Sequence, residues 1–153
     1  MPNTYAALLR AIMEASAYSA KPEHRKQIAE AIAPANYINA PVTVLDQVLT
    51  GTYADGLGGI KKDPNRVTFD PFPYESFSVW ILTQMKRWGQ VKGDVDYAGI
   101  AKKVFLTTEA GRAMKDAGMP VPTAPTKGFT VMGKAFDPSK PNEYVDSFAI
   151  RRA

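Results

Sequence analysis

The stretch PYESFSVWILTQMKRWG, residues 73–89, carries both tryptophans of a 153-residue chain. Phe77, Trp80, Ile81, Gln84, Met85 and Trp88 recur at three- and four-residue spacing, which sets them on one face of an α-helix. Val79 and Leu82 widen that surface along the flank. A helix apolar over so much of its girth needs cover on more than one side, so the spacing predicts the central core helix, with Trp80 and Trp88 both covered. Ser76 is the expected N-cap, and Pro73 keeps the helix from starting earlier. Lys86 and Arg87 place positive charge at the negative end of the helix dipole, and Gly89 supplies the left-handed residue that ends it.

Upstream, Asn3 is the expected cap of a helix with Tyr5, Leu8, Leu9, Ile12 and Met13 on its core face. A second helix opens at Pro22 and runs through Ile28, Ala29 and Ile32 to Pro34. A third, capped by Asn39, uses Val42, Leu45, Val48 and Leu49 and stops at Gly51. From Gly51 to Pro73 glycine, proline, aspartate and asparagine mark turns and extended backbone. Gly59-Ile60-Lys61 is expected to pair with Val67-Thr68-Phe69 across the Asp63-Pro64-Asn65 turn. Downstream, Asp94 is the expected cap of a short helix around Tyr97, Ile100, Ala101 and Val104, and Thr107 or Thr108 starts another that Gly118 ends. MPVPTAPT is an extended connector lying on the surface, Gly128–Met132 reads as a strand, and a last helix presents Tyr144, Val145, Phe148 and Ile150. The fold class is thus mainly α with a few short β-strands, α+β, in a single domain over 1–153.

Composition excludes several chemistries. With no cysteine there is no thiol nucleophile, disulfide or thiolate metal site. The net charge of +4 is scattered as short pairs such as Lys61-Lys62 and Lys102-Lys103, so nucleic acid is not an expected partner. No apolar run approaches the roughly 20 residues that span a bilayer. The opening residues carry Arg10 and Glu14 and lack the apolar centre of a secretory signal. The glycine cluster Gly56-Leu57-Gly58-Gly59 lacks the Gly-Lys-Ser/Thr of a phosphate loop and the strand-then-helix context of a dinucleotide site, and is a structural turn. His24, the lone histidine, lies among Glu23, Arg25 and Lys26 and reads as a solvated side chain. Asp94, Asp96 and Gly99 lack the remaining ligands of a calcium loop. No catalytic residue, cofactor or metal site is expected.

Three segments together carry a family resemblance, YINAPVTVLDQVLTGTYADGLGG, PYESFSVWILTQMKRWG and FDPSKPNEYVDSFAI, and PNTYAALLRAIMEA followed by KPEHRKQIAEAIA is similar to the helical pair that precedes them. In order and over nearly the whole chain, they resemble the substrate-binding proteins of nitrate, nitrite, bicarbonate and cyanate ABC importers. What resembles that family is its C-terminal part, a portion of a type II periplasmic-binding-protein-like fold. The resemblance implies a binding protein and not an enzyme, with an ABC permease and the upstream lobes as partners in the full-length parent. Nitrate, nitrite or bicarbonate would be bound in that parent only, because the family's principal anion ligands lie on the upstream lobes and have no matching positions here. Tyr74, Trp80, Gln84 and Arg87 are the candidate ligand-binding residues, chosen for their side-chain chemistry.

Family members are periplasmic or membrane-associated; a free-standing chain is expected in the cytoplasm, where the alternative is a regulatory or protein-interaction module derived from a nitrate-sensor-like protein. The apolar faces of helices 4–18 and 41–50 are expected to drive self-association as a symmetric dimer, with Leu8, Leu9, Ile12 and Met13 in or near the contact.

Overall fold

The computed structural model describes residues 2–150. Seven α-helices and two short hairpins are found among these residues, so the chain is mainly helical, with few short strands. It gathers into two compact units, one of Met1–Pro71 with Ala117–Met119, the other of Phe72–Asp116 with Pro120–Ala153.

The first unit opens with α1 (Pro2–Ser19), which starts early enough that Asn3 sits inside its first turn instead of capping it. Pro22 then begins a single 3-10 turn, Pro22–His24, that feeds α2 (Arg25–Ile32). His24 is not simply solvated: its ring stacks on Tyr18 at 3.8 Å, and its Nδ1–H donates to the Tyr18 carbonyl at 2.9 Å, tying the two helices together. In α3 (Val42–Thr50) the cap position falls to Pro41, while Asn39 takes a left-handed φ of 53° in the preceding turn. The core is Ala29, Leu45 and Leu49, with Ile28, Ile32 and Phe69 packed on it. Arg25 is buried beside that core. Its NH1 donates to the Leu49 carbonyl at 2.6 Å and to the Pro64 carbonyl at 3.1 Å, so one guanidinium holds the negative end of α3 and the following loop.

The expected hairpin does not form. β2 (Ile60–Lys62) pairs antiparallel with β1 (Thr52–Ala54), and Val67–Phe69 stays outside any sheet. The reason is the glycine cluster, where Asp55 Oδ1 accepts from the amides of Leu57 and Gly59 and reverses the chain before the Asp63 turn is reached. Those two amide bonds hold the Asp55 carboxyl below its ordinary pKa. Gly51 closes the other end of the hairpin. At φ 71° a Cβ there would lie 1.7 Å from the Asp63 carbonyl oxygen, so only glycine lets the two backbones meet.

In the second unit α4 (Glu75–Arg87) packs against α5 (Tyr97–Val104) and α7 (Pro141–Asp146). α6 (Thr107–Asp116) follows α5, and β3 (Phe129–Val131) and β4 (Lys134–Phe136) form an antiparallel hairpin with Phe129 opposite Phe136. Buried Val79, Tyr97, Ala101, Phe136 and Tyr144 make the core. A run of ring contacts, Phe72–Tyr74–Phe77–Phe129–Phe136–Tyr144–Phe148, threads through it, each neighbouring pair 4.8 to 5.4 Å between centroids.

Four expectations are corrected here. The buried face of α4 is Ser76, Ser78, Val79 and Thr83, not the aromatic stripe; Trp80 is half-buried, while Ile81 and Trp88 are 45% exposed. Small side chains lie innermost because neighbouring backbone comes close: Ser76, no N-cap, exchanges hydrogen bonds with the Lys127 carbonyl and amide at 2.9 and 3.0 Å. Asp96, not Asp94, caps α5 by accepting from the Gly99 amide at 2.9 Å. α7 ends at Asp146, so Phe148 packs from beyond the helix and Ile150 is exposed.

Candidate functional site

The four candidate residues fall into two places on α4. Tyr74 occupies its N-cap position, buried between the Phe72 and Phe77 rings, with the Lys127 ammonium 5.3 Å from its ring centre. Trp80, Gln84 and Arg87 follow on successive turns toward the other end. The three-and-four spacing brings these last three together on one side of the helix, and leaves Tyr74 about 20 Å from Arg87 along the axis at 1.5 Å per residue.

Trp80, Gln84 and Arg87 spend polar atoms within the protein. Trp80 Nε1–H donates to the Tyr144 hydroxyl at 3.2 Å. Gln84 Nε2 donates to Thr83 Oγ1 at 3.3 Å, and Gln84 Oε1 accepts from Arg87 NH1 at 3.4 Å. Arg87 Nε donates to the Ile150 carbonyl at 3.0 Å while its guanidinium lies 3.8 Å from the Phe148 ring centre and 4.7 Å from that of Trp88. The charge of Arg87 therefore sits between aromatic faces and holds the segment that follows α7 onto α4.

A cleft of about 360 Å³ that sequence reasoning did not single out opens between β4 and α7. Lys134, Asp137, Lys140 and Glu143 bring two ammonium and two carboxylate groups to its walls, beside Tyr144 and Ser147. Lys134 Nζ donates to the Ser147 carbonyl at 2.6 Å and to its hydroxyl at 3.1 Å, and Lys140 pairs with Glu143 at 3.4 Å. Asp137 Oδ1 accepts from the hydroxyl and amide of Ser139 at 2.7 and 2.9 Å, and these bonds hold its carboxyl below the ordinary value. The signal in the sequence was Asp137-Pro138-Ser139, an aspartate turn placed directly before a helix carrying Lys140 and Glu143. In the same core, burial, and then the charge of Asp146, push the Tyr97 hydroxyl up; it donates to Asn142 Oδ1 at 3.2 Å. Among the described residues no group of three or more His, Cys, Asp or Glu is placed to hold a metal ion, and no helix is long and apolar enough to cross a membrane.

This order of elements, with the hairpin and α7 closing over α4, has a counterpart in known proteins. Over 95% of its length the chain superposes on the periplasmic nitrate-binding protein NrtA of Synechocystis, with a TM-score of 0.84 at 24% identity, and takes up 41% of that chain. The nitrate/nitrite binding protein NrtA of Nostoc is 29% identical over 99% of this chain, and the bicarbonate-binding protein CmpA of Synechococcus elongatus 27% identical over 99%. The chain resembles the substrate-binding proteins for nitrate and bicarbonate. It spans 37–38% of the length of these two relatives. It also matches, at 29% identity over 99% of its length, 23% of the bicarbonate transport ATP-binding protein CmpC of Synechocystis. No family model matches the chain. Its fold is thus part of a periplasmic-binding-protein-like fold.

Proposed function

We propose that this chain is the C-terminal segment of a nitrate-type anion-binding protein of an ABC importer, with a bracing role and no catalysis. Both compact units act as one segment of that parent, which works in the periplasm or at the membrane with an ABC permease. The observation that carries this reading is the match of 99% of the chain to part of longer nitrate- and bicarbonate-binding proteins. The hydrogen bonds of Trp80, Gln84 and Arg87 support capture of the anion outside this segment, since each of these side chains spends polar atoms on its own protein. Titration calorimetry of the chain with nitrate, nitrite and bicarbonate at millimolar concentration is the test, with no saturable heat expected. Saturable heat would move capture into this segment, and Tyr74, Trp80, Gln84 and Arg87 are then the side chains to replace first.

A second reading is favoured by the match to the ATP-binding transport protein, in which the same module takes up 23% of the chain. On that reading the chain is a free-standing cytoplasmic regulatory module that binds other proteins. Pull-down with an importer ATPase against pull-down with an importer permease separates the two.

A further inference from the structure

We propose that the apolar stripe of α1 is a docking surface for the part of the binding-protein fold that lies outside these 153 residues; the proposal rests on the reading that the chain is a segment of such a protein. At 100° per residue Tyr5, Leu8, Leu9 and Ile12 fall within one narrow sector of α1, while Arg10 and Glu14, its only charged residues, point away from it. Met13, at the edge of the stripe, is 2% exposed and belongs to the interior. Leu8 is 60% exposed, and Tyr5 and Ile12 are each close to half exposed. One edge of the stripe is therefore seated, Leu9 is partly covered, and Tyr5, Leu8 and Ile12 lie open to water. The apolar area left there gains by leaving water, so the stripe favours an apolar surface that fits it.

Three features select the occupant. The matched length, 99% of the chain, takes in α1, and the greater part of each relative lies outside the matched segment, which is 37–38% of it. In the superposed Synechocystis protein the corresponding elements are likewise continuous with more than half of a larger chain. A membrane surface does not suit α1, whose polar side carries one Arg and one Glu in place of the basic face that anionic lipid attracts.

The test places this chain in the Synechocystis nitrate-binding protein, in place of the segment it overlays, both unsubstituted and as Leu8→Glu/Ile12→Glu. The same two forms of the 153-residue chain are studied beside them. In the chain by itself the double substitution is expected to leave the thermal midpoint within about 2 °C, because both side chains face water. In the graft it is expected to lower the midpoint by about 10 °C or more, or to abolish soluble protein. The milder Leu8→Ala/Ile12→Ala pair, which keeps helix propensity, follows the same pattern with a smaller shift, and Met13→Ala lowers the midpoint in both settings. A graft that tolerates the double substitution overturns the docking surface and leaves the functional reading standing. An unsubstituted graft that does not fold overturns both. Double substitution that unfolds the chain by itself, or sedimentation velocity showing a dimer that it dissociates, also overturns the proposal, in the second case in favour of another copy as occupant.

Discussion

α1 and α4 both announce themselves by apolar residues at helical spacing, and they meet opposite fates. α1, 18 residues long, leaves Tyr5, Leu8 and Ile12 open and fully seats Met13 alone among its large apolar side chains. α4, 13 residues long, is enclosed, yet its innermost positions are Ser76, Ser78, Val79 and Thr83, and its tryptophans lie farther out. Periodicity identifies the side chains that gain from cover; it does not say what supplies the cover, nor which face comes closest to its neighbours. Where backbone approaches closely, small side chains win the inner positions, and Ser76 pinned to Lys127 is the visible case. The bulky side chains then pack around that contact instead of within it.

The comparison is broken most severely at the aromatic core. Phe136 is 4% exposed and lies between the Phe129 and Tyr144 rings. Phe136→Ala is expected to cost about 3–5 kcal/mol, from lost burial and the cavity left behind. Leu8→Ala is expected to stay within about 0.5 kcal/mol. Urea unfolding followed by far-UV circular dichroism measures both, and equal losses would place the α1 stripe in a core.

The presence and near-limits of the α4 helix were legible in the sequence, because Pro73 and Gly89 act through the backbone and need no neighbour. The left-handed glycines at 51, 89 and 118 were legible for the same reason. Strand pairing was not, since Ile60 has two partners within reach and the choice fell to the Asp55 side chain bonding two amides. The site candidates were chosen from side-chain chemistry, and chemistry does not reveal that Arg87 meets the Phe148 ring or the Ile150 carbonyl. Those contacts are made 61 and 63 residues away in the chain. The cleft between β4 and α7 was hidden because β4 itself was not anticipated.

A smaller effect sharpens the view of how α5 begins. A Cβ on Gly99 would lie 2.0 Å from Asp96 Oδ2, the carboxylate that caps the helix. Alanine there gains helix propensity but pushes the carboxylate aside, so the two contributions offset within about 1 kcal/mol. The sharper quantity is the coupling. Asp96→Ala should cost about 1 kcal/mol in the natural sequence and close to nothing once Gly99 is alanine, because the cap is then already lost. A double-mutant cycle by urea unfolding reads this directly, and equal costs in both backgrounds would show that the carboxylate finds another way to reach the amide.

The smallest expected effect returns to exposed apolar side chains, this time on a hairpin. Met132 turns the chain between β3 and β4 at φ 50°, followed by Gly133 at φ 78°, and its side chain is 94% exposed. Two successive left-handed residues are what a two-residue hairpin of this hand requires, and Asn-Gly satisfies it best. Methionine has no local hydrogen bond to offset the strain, which for an ordinary residue is roughly 1–2 kcal/mol. With almost no burial to lose, Met132→Asn is expected to stabilise the hairpin by about 0.5–1 kcal/mol, since asparagine lowers that strain without removing it. Thermal unfolding of the 153-residue chain tests this. A loss of stability would show that the methionine packs on something within the chain, which would set it apart from the open stripe of α1. A gain puts Met132 beside Leu8 and Ile12, as apolar surface that this segment presents and does not itself use.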